Sequence, residues 1–99
     1  MQSLDATRNL ENYLRQILFA IGNGRTAEVV KESGGQIASL GNFWYPTMSK
    51  IRKLIERGLL EPNTLRLTSA GERFYVDHRG LSNEEIEYAW LSKFQPILL

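Results

Sequence analysis

Cysteine is absent from all 99 residues, which excludes disulfide bonds and thiolate metal sites outright. Histidine occurs once, at His78, and no carboxylate–histidine spacing of ligand type surrounds it, so no metal site is expected. No stretch approaches the roughly 20 consecutive apolar residues that a membrane-crossing helix needs. Residues 1–8 carry no apolar run behind a basic start, so a secretory signal is not expected either. These absences, with no membrane partner in view, fit a cytoplasmic location.

Catalytic constellations are missing as well. The glycine clusters Gly22-Asn23-Gly24 and Ser33-Gly34-Gly35 neither follow a strand nor carry the lysine of a phosphate loop. Asp77 beside His78 reads as a surface neighbour, because nothing near it in sequence completes an acid–base or nucleophilic set. The expectation is therefore a binding protein rather than an enzyme, with no cofactor.

What is present is a composition typical of one globular domain: 42% hydrophobic, 23% charged and 10% aromatic. The net charge is only +1, but it is unevenly spread. Residues 46–57 hold Lys50, Arg52, Lys53 and Arg57 against Glu56 alone, whereas residues 81–99 hold Glu84, Glu85 and Glu87 against Lys93. Such segregation bears more on partners than the total does.

Leu10, Tyr13, Leu14, Ile17, Leu18 and Ile21 recur at steps of three and four, which predicts a helix over 7–21 ended by Gly22-Asn23-Gly24. Thr26 can cap a shorter second helix that buries Ala27 and Val30 and stops at Gly34-Gly35. Residues 36–45 are open between a helical turn and a short strand. Pro46 suits a first helical position, and Met48, Ile51, Leu54 and Ile55 form one apolar face, predicting a third helix over 46–57 closed by Gly58. A tight hairpin is expected over 59–67, with Pro62-Asn63 at its tip. Ser69 with Glu72, and Ser82 with Glu85, have the spacing of capping boxes. They predict helices over 70–78, burying Phe74 and Tyr75, and over 83–94, stopped by Pro96.

Two runs of this chain carry a family likeness: Ile51-x-x-Leu54-x-x-x-Gly58-Leu59-Leu60, then Leu67-Thr68-x-x-Gly71-x-x-Phe74. Together they resemble the winged helix-turn-helix superfamily of DNA-binding regulators, including its MarR, ArsR and PadR groups. Tyr45-Pro46-Thr47 is similar to the PadR group in particular, while the superfamily is the level at which the likeness holds. It spans residues 10–76. It implies a mainly α fold with a small β-hairpin: a three-helix core, a short wing and a C-terminal helix. Residues 1–80 would then form the DNA-binding domain, and 81–99 a C-terminal helix and tail that pack in a dimer.

The likeness also implies that the helix over 46–57 enters the major groove of double-stranded DNA, as a sequence-specific regulator and most readily a repressor. Thr47, Ser49 and Lys50, near the helix start, are best placed for base edges, since the N-terminal residues of such a helix enter deepest. Arg52, Lys53 and Arg57 would meet phosphates, although a cationic helix face is also what solvent alone selects. Phe43, Trp44 and Tyr45 cannot all be buried by one face; one or two would pack beneath the helix, and the Tyr45 hydroxyl could reach a phosphate. The wing is short, so Asn63 and Arg66 would touch at most one phosphate. Trp90 and Phe94, with Ile97, Leu98 and Leu99, exceed the needs of a small core, which suggests a homodimer through the first and last helices. The alternative is a winged-helix module that binds a protein and has no specific DNA affinity.

Overall fold

The computed structural model describes residues 3–32, 35–42 and 44–94. Those residues are mainly helical, with four helices and one small antiparallel sheet. Helix α1 (Ser3–Gly22) buries Leu14, Ile17 and Leu18 completely, as the stripe predicts. It closes through Gly24, whose φ of 107° turns the chain so that Gly24 N donates to Ile21 O and Arg25 N to Ala20 O.

The second helix expected from Thr26 does not form. In its place strand β1 (Glu28–Glu32) pairs antiparallel with β2 (Gly35–Ser39), from Glu28↔Ser39 to Glu32↔Gly35. Adjacent valines favour an extended backbone. A helix this short would have needed tertiary packing to offset its nucleation cost. The buried residues Ala38 and Leu40, together with Ala27 just before β1, fasten the hairpin to the core.

Helix α2 (Met48–Glu56) follows, with Thr47 as its extended N-cap and Pro46 buried just outside it. Proline therefore lies before the cap, not within the first turn of 46–57. Gly58, at φ 78°, ends α2 as Gly24 ends α1: Gly58 N donates to Ile55 O and Leu59 N to Leu54 O. The hairpin expected over 59–67 is reduced to one antiparallel bridge, Leu60↔Leu67, around a turn at 62–64.

Helix α3 (Ser69–His78) is capped by Thr68, one residue earlier than the Ser69 box predicts: its hydroxyl accepts from Gly71 N at 3.1 Å. Helix α4 (Asn83–Phe94) starts with the predicted box, Ser82 Oγ accepting from Glu85 N and Glu85 accepting from Ser82 N. The Ser82 backbone N–H, followed by the Ser82 side chain, holds the Glu85 carboxyl below its usual range.

Trp90 is wholly buried in its own chain, edge-on to Phe74 at 5.2 Å and tilted against Phe94 at 4.5 Å. It is thus part of the core and not of the dimer surface expected from 81–99. Residues 97–99 lie outside the described residues.

Candidate nucleic-acid interface

Alternation of residue type around α2 gives the helix two chemically different sides. Ile51 and Leu54 are completely buried, and Met48 and Ile55 are partly so. Ser49, Arg52, Lys53 and Glu56 are exposed on the remainder. Burial of the inner side fixes the orientation of the outer one, because a buried leucine or isoleucine contributes about 1.5–3 kcal/mol each toward holding the helix down.

At the helix start no side chain caps the free N–H groups, and the first turn has no acidic residue. Thr47 Oγ1 instead lies 3.0 Å from Ser49 Oγ. No side chain therefore offsets the positive end of the helix dipole, and anions are favoured there. Lys50 is half-buried, with its Nζ 4.8 Å from the centre of the Tyr13 ring. Tyr13 in turn accepts from Trp44 Nε1 at 2.8 Å. This stack anchors the segment before α2 and leaves Tyr45 half exposed (50%). Phe43 lies outside the described residues.

Arg57 is placed differently from its expected role at a phosphate. Its two terminal nitrogens donate to both oxygens of Glu11, at 2.6 and 2.8 Å, and its guanidinium covers Phe94 at 4.9 Å. Glu11 is 1% exposed and also accepts from Trp90 Nε1 at 2.8 Å. A carboxylate withdrawn from water requires such partners, and it directs the charge of Arg57 inward. Sequence reasoning missed this pair. The available signal was Glu11 itself, which falls inside the apolar stripe of α1 next to Leu10 and three residues before Leu14.

The structure thus groups Thr47, Ser49, Lys50, Arg52 and Lys53 on α2 and its cap, with Tyr45 two residues before the cap. Asn63, on the turn at 62–64, and Arg66, just before the bridge at Leu67, are both exposed. Arg66 borders a cleft of about 330 Å³ that also takes in Arg25, Thr64 and Glu72.

His78 stacks on Phe74 at 4.1 Å, and its Nδ1 donates to Phe74 O at 2.7 Å. Among the described residues no group of three or more His, Asp or Glu side chains is arranged to hold a metal ion. No helix among them is long and apolar enough to cross a membrane. In comparisons with known proteins, no family model, no curated protein and no solved structure matches the chain.

Proposed function

We propose that this protein binds double-stranded DNA, laying the outer face of α2 in the major groove, and acts as a transcriptional regulator of winged helix-turn-helix type. The observation that carries the reading is the asymmetry of α2. One side is locked into the core by Ile51 and Leu54, while Arg52 and Lys53 project from the other beside an N-terminus with no acidic residue in its first turn. A major groove about 12 Å wide accepts one such helix. The Thr68–Gly71 start of α3, following the Leu60↔Leu67 bridge, supports the winged-helix reading of the second half. Two copies joined through α1 and α4 would present two α2 helices about 34 Å apart, suited to an inverted repeat. Tyr88, 70% exposed on α4, supports that side as the joint.

The test is fluorescence anisotropy with a mixed-sequence duplex and the gene's own upstream region, at two salt concentrations. Preference for the upstream DNA, with affinity falling steeply in salt, is the expected result. Binding to neither duplex at low salt would remove the DNA reading.

A second reading, a module that binds a protein, is favoured by one observation: the element before α2 is a β-hairpin, so α2 lacks the preceding helix of a helix-turn-helix pair. A chain that ignores DNA in the same experiment yet keeps its fold would support this reading.

A further inference from the structure

A second cleft, of about 520 Å³, runs along α1, a volume in the range of small-ligand pockets. Its charge comes from two guanidinium groups, Arg15 on α1 and Arg25 after the helix end, and no carboxylate lines it. Arg25 is held in place by the carbonyl oxygens of Leu40 and Gly41, at 3.2 and 3.4 Å, which position the group without neutralising it.

Arg15 is the less ordinary of the two. Its Nε is buried and has no hydrogen-bond partner. Folded proteins rarely leave a donor on a cation out of water without an acceptor, because the desolvation is not returned. Glu87 senses the charge of Arg15, but the two oxygens of Glu87 accept from Arg8. Arg15 and Arg25 nevertheless both line the cleft and no carboxylate does, so an anion entering it would meet two cations.

The rest of the lining limits what that acceptor can be attached to. Phe19, Trp44 and Ile86 give apolar walls, two of them aromatic. Gln16, Asn23 and Asn83 add amides able to donate and accept. The Asn23 carbonyl oxygen accepts from Tyr75 at 3.3 Å, which turns that amide's NH₂ to other partners.

We propose that this cleft binds a small phosphate monoester carrying a flat ring, of which a nucleoside monophosphate is the simplest case. The phosphate lies on Arg15 and Arg25, and the ring lies against Trp44 and Phe19. Two cations match the near-dianionic charge of a phosphate monoester better than the single charge of a carboxylate ligand, and guanidinium groups suit phosphate oxygens in paired geometry. The proposal is independent of DNA binding by α2.

Thermal-shift and tryptophan-fluorescence titrations of the full chain with adenosine monophosphate, guanosine monophosphate, inorganic phosphate and adenosine test it. A rise in Tm with a monophosphate, at concentrations where phosphate and adenosine have none, is the expected result. Arg15→Met should weaken that binding by at least about tenfold. The same variant, free of ligand, should melt no lower than the parent, because it removes a buried donor that lacks an acceptor. Arg52→Ala/Lys53→Ala should bind the monophosphate as the parent does. No shift with either nucleotide, an equal shift in Arg15→Met, or a lower Tm of free Arg15→Met would each overturn the proposal. A DNA duplex giving an Arg15-dependent shift that neither monophosphate gives would assign the cleft to nucleic-acid backbone, and would overturn it too.

Discussion

Glu11 and Arg57 lie 46 residues apart and meet through two parallel hydrogen bonds, the carboxylate buried and the guanidinium bridging it to the Phe94 ring. With the Trp90 indole donating to the same carboxylate, this node ties α1, the end of α2 and α4 together.

Arg57→Ala should therefore destabilise the fold by about 3–5 kcal/mol, since it leaves a buried carboxylate short of its counter-charge. Urea denaturation monitored by circular dichroism measures this. A loss under about 1 kcal/mol would show that the pair holds nothing together.

Arg52→Ala/Lys53→Ala should behave in the opposite way. Both side chains are exposed, so stability should stay within about 0.5 kcal/mol of the parent. DNA affinity should fall, and the slope of log K against log salt should become shallower by about 0.9 for each phosphate contact removed. Unchanged affinity in anisotropy titrations would exclude the α2 face as the DNA surface.

Gly71→Ala should cost about 1–3 kcal/mol or more, because its new Cβ would be driven into the backbone carbonyl oxygen of Leu59, which cannot rotate away. Gly80→Ala is the control: nothing lies within 4 Å of a Cβ there, and stability should change little. Equal melting temperatures for the two variants would contradict the close approach of α3 to the Leu60↔Leu67 bridge.

Glu87 accepts two hydrogen bonds from Arg8, which together with a hydrogen bond from Asn12 lower its carboxyl to about 2. A lowered folded value means the contribution is complete above the unfolded pKa, about 4.3, and is lost as pH falls from there through about 2. Arg8 is 60% exposed, so screening limits the gain to at most about 1 kcal/mol. Arg8→Ala should raise the Glu87 pKa in a side-chain NMR titration and flatten the fall of Tm between pH 5 and pH 2, relative to the parent. An unmoved Glu87 titration would rule out the pairing.

Helices α1, α2 and α4 are readable from local sequence because their causes are local: apolar residues at helical spacing, glycines that accept positive φ, and a serine–glutamate box before α4. The basic outer face of α2 follows from the same periodicity. The Thr68–Gly71 motif is equally plain in sequence, but only the packed structure supplies its cause. Thr68 caps α3 while donating to Gly58 O, and Gly71 lets the backbone of α3 press on Leu59.

Residues 28–39 show the limit of local reading. Alone, Thr26 and Val30 suit a helical turn as well as a strand, and pairing with Gly35–Ser39 under Leu40 decides for the strand. The fates of Arg57, Trp90 and Arg15 were likewise set at long range. Charge and size of each side chain are set by residue type alone. Which carboxylate, ring or cleft it faces depends on elements dozens of residues away, brought together by burying one shared core.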